Sequence, residues 1–349
     1  MKVILDTNAF YDFMCISKNS HINHDVFREL LSDPKNEVTI PTTTLYEFLI
    51  KYEQRIDIIK YGISFIVQHV KKIHSESYLP LTKEIKSLPK CSDKKIYEVI
   101  KDCKEKRIET EARFASFFVE YLLLQYTLSY IFEKRGQAMD ESIELKLFQS
   151  CAPKIFQDTQ QQMVQALRDG YIENNAQPVA EDRYNSILED RLSTWMAFLK
   201  FIDNKPNPNL TVEEAFKDFV SFFDNSRHVY RFYNSNDNIN KWIAKYDNQS
   251  NKIASTGLLA VLRAGFEAKG VHGIQVEYMQ WKLSSMSQQI PGETPSKFHK
   301  NDVLDMLILT VLNDDDSVLI SFDKNVRRFI AHIKNKSENY INRICLISS

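Results

Sequence analysis

Strand-forming sequence is confined to the two ends of this chain, and that distribution restricts its possible folds more than any other feature. The segments "KVIL" (2–5), "EVTI" (37–40), "SVLIS" (317–321) and "RICLI" (343–347) are short, apolar and β-branched. A helical pattern separates each from the next, which describes a parallel sheet covered by helices on both faces. Such a sheet draws on the N-terminal ~50 and C-terminal ~50 residues, with a long helical insertion between them.

Glycine is scarce, at eight residues, and the middle of the chain is charged, aromatic and leucine-rich with a helical rhythm. The periodicity predicts helices over 44–76, 93–135, 141–172, 180–203, 211–232, 237–267 and 273–287. Breaks fall at "SYLPLTKEIKSLPKCSD", "NNAQPVAED", "DNKPNPNL" and "QQIPGETPSK". No internal repeat or low-complexity tail is present. The stretch "FASFFVEYLLLQYTLSYIF", 114–132, has the length of a bilayer span. It carries Glu120 and Gln125 in mid-span, and its tyrosines are spread along it instead of gathered at two interfaces, which reads as a buried core helix. The expected organisation is a split sheet-bearing domain, 1–75 with 290–349, around an all-helical insertion, 76–289.

Lys and Arg number 45 against 46 Asp and Glu, so no global basic field advertises a polyanion, and any anion site has to be built locally. The five cysteines, at 15, 91, 103, 151 and 345, are scattered without zinc spacing and suit a reduced, cytoplasmic setting. Asp6 interrupts the first apolar run too early for an export signal.

That interruption poses a chemical question, because a charge at the rim of a core is costly unless something binds it. In an open α/β sheet, ligands sit at the carboxyl ends of the strands. Asp6 follows the first strand directly. Thr42 to Thr44 follow the second strand through Pro41, with Glu47 expected in the first turn of the helix they open. Asp302 and Asp305 are expected in the first turn of the helix that runs down to the third strand, and Asp323 follows that strand. All of these positions share one edge of the sheet. Clustered carboxylates repel one another and partly protonate unless a cation neutralises them. Oxygen-only ligands suit Mg²⁺ or Mn²⁺, which complete their shells with water and substrate phosphates. Hydrolysis of a phosphodiester is the chemistry such a centre supports.

Each acid also has a structural explanation. Thr44-x-x-Glu47 has the form of a capping box. Asp302 suits an N-cap, Asp305 a favourable charge in a helix's first turn, and Asp323 a turn or cap. Asp6 fits a cap less well, because apolar "AFYDFM" follows it. The shared edge joins the acids where the individual explanations do not.

Taken together, "VILDTNAF", "PTTTLYEF" and "DMLILTVLNDDDSVLISFDKNVRRF" resemble a PIN-domain nuclease. The resemblance implies an α/β/α sandwich with a short central parallel sheet, Mg²⁺ or Mn²⁺ as cofactor, and endoribonuclease activity. Asp6, Glu47, Asp305 and Asp323 match its acidic quartet, which would hold the metal and act in catalysis. Asn8 matches the polar residue that supports the first Asp, and Ser321 matches the hydroxyl before the last. Asp302 competes with Asp305 for the third position; Asp305 is favoured because it directly precedes "MLILTVL", leaving Asp302 as auxiliary ligand or cap. The motifs span roughly the first 60 and last 55 residues, so the insertion has no counterpart in a minimal member.

Other motifs lead elsewhere or nowhere. "LDTNAF" is superficially similar to the haloacid-dehalogenase opening, but Asn8 replaces that pattern's second Asp. "SRHVYRFYN" has the spacing of helical HEPN ribonucleases with Asn234 where a His is needed. "DDD" at 314–316 falls at the opposite sheet edge, and His21-x-x-His24 lacks further ligands. No phosphate-binding Gly loop or nucleophile elbow appears. Lys297, His299, Lys300, Lys324, Arg327 and Arg328 flank the acid-bearing helices and are the candidates for phosphate contacts, Lys300, Lys324, Arg327 and Arg328 foremost. Aromatic residues of the insertion, as in "FVSFFDNSRHVYRFY", suit either a core or base stacking.

The expected function is therefore a cytoplasmic, metal-dependent endonuclease acting on RNA ahead of DNA, with no membrane association. Its helical insertion would serve access, a protein partner or homo-oligomerisation. The alternatives are a nuclease for DNA flaps or structured DNA, and a non-cleaving nucleic-acid-binding or scaffold protein.

Overall fold

A computed structural model describes residues 1–15, 24–74, 83–135, 143–172, 271, 273–287, 300–313, 316–333 and 344–345, with isolated positions 187, 190, 191, 195 and 214. The chain is mostly helical around a small parallel sheet, an α/β architecture. Two compact units divide it: Met1–Glu111 with Asn301–Ser349, and Ala112–Lys300.

In the first unit, β1 (Lys2–Leu5) leads into α1 (Thr7–Phe13) and α2 (His24–Ser32). Next come β2 (Glu37–Pro41), α3 (Thr42–Lys51), α4 (Ile56–His69) and β3 (Lys72–His74), then a 3₁₀ turn over Lys83–Lys90. The long helix α5 (Asp93–Arg135) belongs to this unit as far as Glu111. Late in the chain follow α8 (Lys300–Ile308), a 3₁₀ turn over Leu309–Asn313, β4 (Ser317–Ile320), α9 (Lys324–Ile333) and β5 (Ile344–Cys345). The second unit contains the rest of α5, α6 (Ile143–Ile172) and α7 (Gly273–Ser287).

The five strands are all parallel in the order β3-β2-β1-β4-β5. Lys2 pairs with Glu37 on one side and Ser317 on the other, so β1 is central and its neighbours come from opposite ends of the chain. Val3, Leu5, Val38, Ile40 and Ile320 share one buried cluster with residues of α1, α3, α4 and α5. Ile4 and Leu319, at alternate positions, are equally buried. Burial of both alternating sets explains why these strands read as unbroken apolar runs.

The expected helix over 44–76 is two helices and a strand. Non-helical backbone at Tyr52 and Arg55 separates α3 from α4. After α4, the Lys71 N–H donates to the Val38 carbonyl at 3.0 Å, and Ile73 then pairs with Ile40. Pairing against a central strand overrides the local helical rhythm. The first unit also runs past residue 75, because Ile85, Leu88, Ile96, Val99, Ile100 and Cys103 join the core beneath the sheet. The helices expected over 180–203, 211–232 and 237–267 lie outside the described residues but for isolated positions.

In the second unit, Phe117 packs on Phe156 with ring centroids 4.9 Å apart, and the Trp195 indole N–H donates to the buried Thr127 hydroxyl at 2.8 Å. The stretch 114–132 lies within α5, its described side chains largely buried. No helix among the described residues is long and apolar enough to cross a membrane.

Helices α3 and α4 meet at a close approach. A Cβ on Gly62 would come within 2.2 Å of Cζ of Phe48, a fully buried ring. Gly62→Ala is therefore expected to destabilise the fold by about 1–3 kcal/mol, outweighing the roughly 1 kcal/mol gained in helix propensity. Urea unfolding at equilibrium checks this, and Phe48→Leu in the same chain should recover part of the loss.

Candidate functional site

The strand order reverses direction between β1 and β4: the chain builds outward through β2 and β3 on one side and β5 on the other. The carboxyl ends of such a strand pair form the crevice where open α/β sheets bind ligands. Asp6 leaves β1 at this point, and Asp323 follows three residues after the end of β4.

Asp6 is 4% exposed and joins the two strand ends. Its Oδ1 accepts the Ala9 N–H at 2.7 Å, capping α1, and its Oδ2 accepts the Phe322 N–H at 3.2 Å. The buried Ser321 hydroxyl bonds the same carboxylate and accepts the Asp323 N–H at 3.2 Å. Burial pushes the Asp6 carboxyl up to about 6 in spite of these hydrogen bonds, and the nearby Asp323 charge adds to the rise.

Asp323 caps α9, its Oδ1 accepting the Asn325 N–H at 2.5 Å and the Val326 N–H at 3.4 Å. Its structural role as a cap thus coexists with its place beside Asp6. Asp302 is buried as the third residue of α8, inside the helix instead of at its N-cap. Asp305 lies one turn further on, in the second turn. Its carboxyl is raised well above the ordinary value, first by burial and then by the negative charges of Asp323, Asp302, Glu47 and Asp6. Five acids from four separate sequence segments are therefore electrostatic neighbours.

Glu47 is the sixth residue of α3, in its second turn. The capping box read from Thr44 and Glu47 does not form, because α3 starts at Thr42 after Pro41, with no side-chain cap. Thr44 instead directs its hydroxyl to the Leu5 carbonyl at 3.4 Å. Glu47 Oε2 accepts a short hydrogen bond from the Thr7 hydroxyl, and Oε1 lies 3.8 Å from the Arg107 guanidinium on α5. Arg107 Nε donates in turn to Glu111 Oε1 at 2.5 Å. Burial raises the Glu47 carboxyl most; Arg107 and the Thr7 bond oppose it, Glu111 raises it and Lys51 lowers it.

Asn8 and Thr7 follow Asp6 at the start of α1 and differ in placement. Asn8 is exposed, whereas Thr7, at the first position of α1, faces Glu47. The first turn of a helix rotates adjacent side chains by about 100°, so only one of the pair can face the crevice. Of the basic residues, Lys300 opens α8, Lys324 and Arg328 are exposed on α9, and Lys297 and His299 lie outside the described residues. Arg327 is half-buried, and its Nε has no hydrogen-bond partner among the described residues. Asp316, the described member of the "DDD" run, is exposed at the opposite edge, where its carbonyl accepts the Lys2 N–H at 3.1 Å.

Thr7, Arg107 and Glu111 are the residues around Glu47 that sequence reading passes over. Arg107-x-x-x-Glu111 offers one faint signal, an ion pair four apart on an otherwise apolar helix face. Among the described residues, no three carboxylate, imidazole or thiolate groups close up into a ready-made metal cage. The acids are within electrostatic reach of one another without forming a finished coordination shell. All five side chains are carboxylates. Comparison with known proteins finds no matching family model, no similar curated protein and no similar solved structure.

The raised carboxyls carry a sign for stability. A carboxyl whose folded value exceeds its unfolded one contributes stability that is fully present below the unfolded value and lost as pH rises through the folded one. For Asp6 that window runs from 3.8 to about 6, and the loss amounts to about 3 kcal/mol at 1.36 kcal/mol per pH unit. In EDTA the protein should accordingly melt at a lower temperature at pH 8 than at pH 5. Asp305→Asn should melt above wild type at pH 8, with the difference shrinking toward pH 4.5; scanning fluorimetry across pH measures both.

Proposed function

We propose that this chain is a PIN-like, divalent-metal-dependent endonuclease that hydrolyses phosphodiester bonds, in RNA ahead of DNA. The observation that carries the reading is Asp305, a half-buried carboxyl under the negative charge of Asp6, Glu47, Asp302 and Asp323 at the switch point of a parallel sheet. Without positive charge this arrangement protonates, so its carboxylates suit a site completed by a cation. Asp6, Glu47, Asp305 and Asp323 would hold Mg²⁺ or Mn²⁺, with Asp302 as an auxiliary ligand. An ion held there would supply Lewis-acid chemistry, a water of lowered pKa and stabilisation of the leaving oxygen of a phosphodiester.

The chain's own residues supply the rest. Ser321 and the N–H groups of Ala9 and Phe322 orient the Asp6 carboxylate, and Thr7 with Arg107 orients Glu47. Lys324, Arg327 and Arg328, on the helix that Asp323 opens, would take phosphates of the strand on either side of the cut. Of these, Arg327 is favoured by its unpartnered buried Nε.

Purified protein with single-stranded RNA and Mn²⁺ should give internal cleavage that EDTA stops. Asp6→Asn and Asp323→Asn, each folded by circular dichroism, should lower the rate by about 100-fold or more, the scale on which removing a group that stabilises transition-state charge acts. Parallel single-stranded and flap DNA substrates decide the substrate class. Cleavage indifferent to chelator and to both substitutions rules the site out.

A further inference from the structure

The hydroxyl of Tyr11 is buried, within electrostatic reach of Glu47, and has no hydrogen-bond partner among the described residues. The residue is 3% exposed on α1. Its ring is held by three side chains of α3 and the residue just after it: Phe48 at 6.4 Å and Tyr52 at 5.9 Å between centroids, and Lys51 with Nζ 4.3 Å above the ring. These neighbours sit one, five and four positions after Glu47, so the phenol lies against the part of the helix that carries that acid. Glu47 and Arg107 are the nearby charged groups acting on the hydroxyl.

A buried donor without an acceptor costs free energy, and folds seldom keep one without use. A phenylalanine would fill the same space and keep every ring contact. Glu47 now has Thr7 on one oxygen and a long ion pair to Arg107 on the other. A carboxylate that turns to ligate a cation changes these partners, and ligating carboxylates are themselves held by outer hydrogen bonds.

We propose that Tyr11 is a positioning residue for Glu47, whose hydroxyl becomes a donor to the Glu47 carboxylate when that side chain turns to bind the divalent ion. Thr7 and Arg107 hold Glu47 in the ion-free state; Tyr11 takes over part of that work in the loaded one. The inference rests on the metal-site reading above and adds to it a residue that contacts neither ion nor substrate.

The experiment compares wild type, Tyr11→Phe and the control Tyr52→Phe by melting in EDTA and by Mn²⁺ binding, followed by the loss of the free-ion EPR signal. Tyr11→Phe should melt at or up to a few degrees above wild type, since an orphaned hydroxyl has been removed. It should bind Mn²⁺ about 10-fold more weakly, the lower end of the usual loss when an outer-shell partner is removed. In cleavage assays kcat should fall with KM for the nucleic acid unchanged, and Tyr52→Phe should match wild type throughout. A Tyr11→Phe protein that melts clearly lower than wild type and binds Mn²⁺ normally overturns the inference alone, leaving the metal site standing. Wild type that binds no Mn²⁺ removes the metal site and this inference with it.

Discussion

One carboxylate ties the architecture together. Asp6 accepts an N–H from Ala9, three residues on, and another from Phe322, 316 residues on. The first bond starts α1 and turns the chain away from the sheet edge; the second pins the segment leaving β4. A neutral side chain could cap a helix equally well, and the strands already pair from Lys2↔Ser317 to Leu5↔Ile320. An acid here is costly for stability, because burial lifts its carboxyl to about 6. Functional sites are where folds retain such local conflicts.

The same conflict is larger at Asp305, on which burial and four other acids act in one direction. Arg107 faces Glu47 and is itself bonded to Glu111. Removing either partner of such a buried ion pair leaves the other uncompensated, so the pair fixes where Glu47 points more than it adds to stability. The crevice combines a region where Thr7 and Arg107 hold Glu47 with a region where Asp6, Asp302, Asp305 and Asp323 meet.

How much of this could be read from sequence depended on whether local pattern and tertiary placement agreed. β1, β2 and β4 were legible because burial of both faces leaves unbroken apolar runs, and the acids at their carboxyl ends followed from topology alone. β3 was not: Lys72, Ile73 and His74 carry no strand pattern, and the strand exists because Ile40 and Pro41 offer a free edge. Helix starts misled for a related reason. Thr44 and Glu47 have the spacing of a capping box, yet the Thr44 hydroxyl bonds Leu5 and Thr7 lies against Glu47, contacts about forty positions distant in sequence. Tyr11 reads as an ordinary member of an apolar helix and Arg107 as one charge among many on α5, since what distinguishes them is the neighbour each meets on another helix.

The sheet order also fixes when the acids can meet. Strands β1, β2 and β3 with α1, α3, α4 and the start of α5 share most of one core, and their contacts are comparatively close in sequence. Within that part the Asp6 carboxylate has Ala9 as a partner, and Glu47 has Thr7 and Arg107. Asp302, Asp305, Ser321, Phe322 and Asp323 arrive only when β4 pairs with β1, a contact that closes a loop of about three hundred residues at a large entropic cost. Until then Asp6 lacks the like charge of Asp323, and neither Asp6 nor Glu47 has Asp305 as a neighbour. Docking of the late segment completes the sheet through backbone bonds and apolar burial, and in doing so it forces the carboxylates together. Strand pairing thus supplies the free energy that holds an otherwise self-repelling centre in place.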